Sequence, residues 1–139
     1  MGLRERFEQM TEAWNAHQFD GVVTAFSEDC EVTAPDFTGQ GHQGVREWWD
    51  YNEGPFPDNQ VVVHRTVLEG DTLVEESMFR GTNTGPLPSP DGKEIPPTGN
   101  RVEIPYVAIY TARGDQIVSW RLYWDQMAVM SQLGLLLEQ

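Results

Sequence analysis

The sequence contains one cysteine, Cys30, and three scattered histidines. A lone thiol cannot form an intramolecular disulfide, and the residue types that build structural zinc sites are too sparse to assemble one. Cys30 is therefore expected to pack as a small apolar residue on a strand. Positive charge is also scarce. Nine Lys and Arg stand against 22 Asp and Glu, giving a net charge of −13 and a pI near 4.4. Nucleic acid and anionic membrane both demand a basic surface, so neither is expected as a partner. The acids are dispersed, as on a solvated surface. No apolar run approaches membrane-spanning length, and the charged opening MGLRERFEQM reads as helix rather than signal peptide. A cytoplasmic location is the resulting expectation.

What the chain does have is aromatic volume: five Trp, six Phe and four Tyr in 139 residues. That length fits one domain, residues 1–139, with room for a real core and an internal cavity. Leu3, Phe7, Met10 and Trp14 recur at helical spacing, predicting an amphipathic helix from residue 3 to about 17. Asp20 is placed to cap a short second helix running through Phe26. CEVTAP reads as a strand, FTGQGHQG as a loop, and VREWWDYN as a helix with Val45, Trp48 and Trp49 inward. GPFPD ends that helix. QVVVHRTVLEGDTLVEESMFRG predicts two antiparallel strands joined at Glu69-Gly70-Asp71-Thr72. The five prolines of TNTGPLPSPDGKEIPPTGN forbid a long regular element, which makes the segment a long loop, a class of loop that is often functional. RVEIPYVAIYT and DQIVSWRLYW are the last two strands, and Met127, Met130, Leu133 and Leu137 mark a short terminal helix. The order is α+β: one curved antiparallel sheet with helices segregated on one face.

EGDTLVEESMFRGTNTGPL, IPPTGNRVEIP and IVSWRLYWDQMAVMSQLGL, in that order, resemble the SnoaL-like polyketide cyclase family. That family belongs to the nuclear transport factor 2-like superfamily, together with ketosteroid isomerases, scytalone dehydratase and limonene epoxide hydrolase. The resemblance covers nearly the whole chain. It implies a cone-shaped, strongly curved antiparallel sheet with helices packed on its concave side. A buried pocket, a homodimer, and no metal or organic cofactor are implied as well. It also implies that an aspartate in the pocket does acid/base work during an intramolecular aldol closure, and the matching position here is Asp125. Many relatives carry His where this chain has Asn83. Asn cannot exchange a proton at neutral pH, so Asn83 either hydrogen-bonds a substrate oxygen or serves the turn that Asn-Thr-Gly favours.

Asp125 also fits an N-cap, since a helix follows at once, although the capping-box partner is missing at Ala128. Trp120, Leu122 and Trp124 precede it, and a carboxylate walled by aromatics has its pKa raised toward the working pH. Arg121 and Tyr123 share the side of Asp125 if strand alternation holds. The first would keep it ionised, unless Arg121 points to a dimer contact or solvent, and the second would offer a donor to a developing oxyanion. His64, on a predicted strand, is a candidate second proton carrier; the alternative is a satisfied, half-buried His. Trp48 and Trp49 are adjacent and cannot both face the same way; one is core, and the other either packs in the core as well or lines the pocket mouth and stacks on a flat polycyclic ligand. The expected activity is a cofactor-independent, Asp-based acid/base reaction on a small apolar carbonyl compound, with aldol-type cyclisation first. Ketosteroid-isomerase-like isomerisation or dehydration, and a non-catalytic ligand-binding or dimerisation module, are the alternatives. Epoxide hydrolysis would need a second acid beside Arg121 and Asp125.

Overall fold

The computed structural model describes residues 2–89 and 91–136. Helix α1 (Leu3–Asn15) buries Leu3, Phe7, Met10, Ala13 and Trp14 along one stripe. It ends at Asn15, and two residues further on His17, with a φ of 57°, turns the chain. Helix α2 (Phe19–Val23) starts one residue before Asp20, with Gln18 as its cap, and stops short of Phe26. Phe26 instead opens strand β1 (Phe26–Ala34), which is longer than its apolar letters suggest and carries Cys30 fully buried. Burial raises the Cys30 thiol above its ordinary pKa and leaves it inert.

The segment expected as loop, FTGQGHQG, is mostly regular. Strand β2 (Phe37–Gln40) pairs back on β1, and helix α3 (Gly41–Glu53) begins immediately after it. Gly39 and Gly44 make this possible, because a Cβ on Gly44 would lie 2.6 Å from the Gly39 carbonyl carbon. No side chain at either position could be seated so closely. Val45, Trp48 and Trp49 all turn into the core.

Strands β3 (Gln60–Glu69) and β4 (Thr72–Thr82) form the hairpin expected around Gly70-Asp71. The Pro-rich segment holds two minimal strands, β5 (Leu87–Pro88) and β6 (Glu94–Ile95), paired with each other; Pro90 lies outside the described residues. Strands β7 (Arg101–Arg113) and β8 (Gln116–Trp124) follow, then helix α4 (Gln126–Leu133). Leu137, expected in that helix, also lies outside the described residues.

The main sheet has the order β2-β1-β8-β7-β4-β3. It is antiparallel except where β1 runs parallel to β8, and it remains open, with β2 and β3 as edges. The architecture is α+β, a curved, antiparallel-dominated sheet with helices against its concave side. The larger core lies between α1, α3 and the sheet; a smaller cluster of Phe56, Val102, Ile104 and Leu133 seats α4. Among the described residues no helix is long and apolar enough to cross a membrane.

Candidate active site

Alternation along the strands decides what faces the hollow of the sheet. On β4 the inward residues are Leu73, Glu75, Ser77 and Phe79; on β7 they include Ile104, Tyr106, Ala108 and Tyr110; on β8 they are Trp120, Leu122 and Trp124. Between these strands and the helices lies a cavity of about 660 Å³. Every tryptophan except Trp49 lines it; Trp49 packs instead against Trp14 and Phe19. Leu87, Pro88 and Ile95 of the Pro-rich segment, with Val129, Met130 and Leu133 around α4, complete the wall.

One acid stands in this apolar interior. Glu75 is 1% exposed. The register places it directly opposite Ala108 of β7, with Tyr106 and Tyr110 two residues to either side. Both phenols reach across the small Ala108 side chain: Tyr110 donates to Oε1 and Tyr106 to Oε2, each at 2.7 Å. Ser77, next along the same face of β4, donates to Oε2 at 2.7 Å. Burial pushes the Glu75 carboxyl above the ordinary 4.5, and the Tyr110, Tyr106 and Ser77 hydroxyls pull it partly back. Burial, followed by the charge of Glu75, drives both phenols well above 10, so they remain donors. Tyr110 is held in turn by its stack on Trp120, with ring centroids 5.8 Å apart, and by the edge of Phe7 at 5.3 Å. A carboxyl with a pKa raised by burial, hydroxyls on both oxygens and no basic partner among the described residues is suited to take and return a proton inside the cavity.

A second polar station marks the mouth. Asp36, exposed in the turn between β1 and β2, accepts a hydrogen bond from the Tyr51 hydroxyl of α3, and both line the cavity.

The residues expected from sequence fall into two sets. Trp48 and Trp120 are buried and line the cavity. Asp125 does not, and its expected enclosure by aromatics is corrected. Its side chain is exposed and accepts from the Ala128 backbone N–H at 3.2 Å, capping α4. The physical reason is strand parity: Trp120, Leu122 and Trp124 turn inward, so Arg121, Tyr123 and then Asp125 turn outward, and all three are exposed. His64 is likewise exposed, at a register shift in edge strand β3, away from the cavity. Asn83 is fully buried but is not free for a ligand. Its amide donates to the carbonyls of Pro55 and Gly85, and its oxygen accepts from the Thr98 N–H and hydroxyl. It ties the Pro-rich segment to the end of α3. Sequence reasoning missed Glu75, Tyr106 and Tyr110; Leu73 and Phe79 flank Glu75 at two-residue intervals, but Val74 and Met78 give the opposite parity the same apolar character, so the alternation alone did not mark it. Among the described residues no group of three or more His, Cys, Asp or Glu is arranged to hold a metal.

The sequence profile of the SnoaL-like domain family matches residues 7–120. No curated protein sequence matches the chain. Among solved structures, a candidate SnoaL-like polyketide cyclase from Jannaschia sp. CCS1 superposes with a TM-score of 0.82 at 23% identity, covering 96% of this chain and 92% of that one. IdmH, a candidate polyketide cyclase from Streptomyces antibioticus, gives 0.77 at 22% identity over 96% and 99% of the two chains. AclR, a candidate hydroxylase from Streptomyces galilaeus, gives 0.79 at 21% identity over 99% and 89%. At these identities the likeness establishes the fold.

Proposed function

We propose a function for this chain from one premise: it belongs to the SnoaL-like domain family. The protein is an acid/base enzyme that acts on a small apolar carbonyl compound in the cavity, with Glu75 as the proton carrier. The reaction is an aldol-type ring closure. Ionised Glu75 takes a proton from a carbon beside a carbonyl; the resulting enolate carbon bonds to a second carbonyl carbon of the same folded molecule. The alkoxide so formed recovers the proton from Glu75, and the carboxyl ends as it began. While Glu75 holds the proton, it needs fewer donors, and Tyr106 or Tyr110 is released to donate to the developing oxyanion.

One observation carries this reading: a buried carboxyl, bonded only to hydroxyls, in a cavity walled by aromatics. The chemistry needs no other polar machinery. Orientation of the folded substrate supplies up to ~7–11 kcal/mol in favourable cases, and a positioned acid/base group adds about 10²–10⁴-fold. The same proton transfers without ring closure would give an isomerase or dehydratase. A non-catalytic ligand-binding module is the second reading. It is favoured by the fact that both Glu75 oxygens already have partners inside the protein.

The test is turnover of a panel of polyketide esters and enones by the parent protein and by Glu75→Gln. Loss of about 10²–10⁴-fold in kcat with ligand binding retained supports the enzyme reading. Equal turnover removes it, and tight binding without turnover by the parent protein leaves the binding module.

The protein is further proposed to work as a homodimer. Among the described residues no helix covers the convex face of the sheet, which presents Val67, Val74, Ile109, Val107 and Tyr123 in adjacent register positions. Val67 is 47% and Tyr123 is 51% exposed, an apolar patch that a second copy would cover.

A further inference from the structure

The charges of the cavity are one-sided. Its titratable acids are Glu75 at the floor and Asp36 at the mouth, and among the described residues no Lys, Arg or His lines it. None of the ion pairs among the described residues includes either carboxylate. Asp36 has one partner, the Tyr51 hydroxyl on Oδ2; its Oδ1 has none among the described residues. Burial, then the bond to Asp36, pushes the Tyr51 phenol above its ordinary range, so it stays a neutral donor.

An aromatic cluster adjoins this carboxylate through Tyr51, from whose hydroxyl it accepts. Tyr51 stacks on Trp48 with a centroid separation of 5.7 Å and an interplanar angle of 13°. Trp48 in turn lies 5.8 Å from Trp124, and Phe37 sits 5.8 Å from Tyr51. A carboxylate with a free oxygen beside stacked electron-rich rings attracts an organic cation twice, by charge and through the ring quadrupoles. The net charge of −13 acts in the same direction, because a cleft with low-dielectric walls focuses that field. An anionic ligand meets the reverse: two acids, no cationic partner, and the desolvation of its own charge.

We infer that the cavity takes a ligand carrying a protonated amine, with the amine held at the mouth by Asp36 against Tyr51 and Trp48. The inference rests on the proposed function for the identity of the site and narrows its substrate class. The ligand is a flat aromatic or polycyclic carbonyl compound whose apolar body fills the interior. Its carbonyl points toward Glu75 and its ammonium group toward Asp36. Compounds with a free carboxylate or phosphate are rejected.

Quenching of tryptophan fluorescence reads the binding directly, since four of the five tryptophans line the cavity. The probes are acetylnaphthalenes that differ in one substituent: methyl, aminomethyl or carboxylate. The aminomethyl compound is expected to bind about 10-fold tighter than the methyl compound, equivalent to about 1.4 kcal/mol, with the carboxylate weakest. The preference should shrink as salt rises, because Asp36 is exposed. Asp36→Asn should bring the aminomethyl compound to the affinity of the methyl compound and leave the latter unchanged. Tyr51→Phe, which keeps the ring and frees Oδ2, should retain the preference. Equal binding of the methyl and aminomethyl probes by the parent protein overturns the inference, as does a preference that survives Asp36→Asn. An amine preference abolished by Glu75→Gln instead places the ammonium group at the floor and overturns the assignment to the mouth. Failure of the acid/base reading appears separately, as turnover untouched by Glu75→Gln.

Discussion

Tyr110 donates its hydroxyl to Glu75 Oε1 across 2.7 Å, and each of the two residues is only 1% exposed. Neither polar group has bulk water to fall back on, so each sets the proton affinity of the other. The phenols of Tyr110 and Tyr106 stabilise the ionised carboxyl against the burial that opposes it. Removing either donor by Tyr110→Phe or Tyr106→Phe is expected to move Glu75 further above 4.5. If ionised Glu75 is the base, the acid limb of the kcat/KM profile shifts to higher pH in both variants. A shift to lower pH would mean that the limb belongs to another group.

The same raised carboxyl makes stability depend on pH with a definite sign. Glu75 binds its proton more tightly in the folded chain than in the unfolded one. Its stabilising contribution is complete below the ordinary value of 4.5 and is lost as pH rises through the folded value. Asp29, held at about 2 by Arg113 and Ser27, behaves oppositely: its contribution is present above the ordinary 3.8 and is lost as pH falls toward 2. Comparing Glu75→Gln with the parent protein isolates the first effect. In urea melts at stepped pH, the stability of the variant should gain on the parent from pH 4.5 upward and level off above the folded value. A gap that moves the other way over this range would show that the hydroxyls outweigh burial.

Most of the frame was legible from the chain, and the misplacements have identifiable causes. The β3–β4 hairpin is written in its alternation and in Gly70-Asp71, and the stripe of α1 in Leu3, Phe7, Met10 and Trp14. The β1–β2 hairpin was hidden because FTGQ is short and polar and Gly39 reads as loop, whereas its role is to let Gly44 approach. The site failed for a different reason. Asp125 attracts attention because it follows Trp120, Leu122 and Trp124, but those residues share one strand face and Asp125 continues the other. Glu75 sits in TLVEESMF, where both parities carry apolar residues: Leu73 and Phe79 on one, Val74 and Met78 on the other. Only the pairing with β7, which brings Tyr106 and Tyr110 to either side of Ala108, identifies which glutamate is buried. That pairing is tertiary information. Asn83 shows the converse, a polar residue beside the loop whose bonds are all internal.

Asp125 separates cap from catalyst experimentally. Its one side-chain bond goes to the Ala128 N–H at the start of α4. Asp125→Ala is expected to cost about 0.5–2 kcal/mol of stability and to leave kcat unchanged below the melting range. Asp125→Asn, which preserves a good cap, should be close to neutral in both. A large fall in kcat for Asp125→Asn, with stability unchanged, would return the proton chemistry to this residue and take it from Glu75.

The convex face supplies the last prediction. Val74 lies at its centre, paired with Val67 of β3 on one side and Ile109 of β7 on the other. Arg65, Glu76 and Arg121 are interspersed among the apolar residues and give a facing copy charges to pair with as well as surface to bury. A stable dimer buries roughly 1,200–2,000 Å² in total, and truncating a central apolar contact affects such an interface more than changing its rim. Light scattering coupled to size exclusion is expected to give twice the 15.8 kDa of the chain. Val74→Glu places an unpaired charge at the centre of both facing patches and should return the mass to 15.8 kDa, with the circular dichroism spectrum unchanged. A parent protein that already runs at the mass of one chain would leave this apolar face as ordinary surface. A Val74→Glu variant that stays dimeric would move the contact to another part of the molecule.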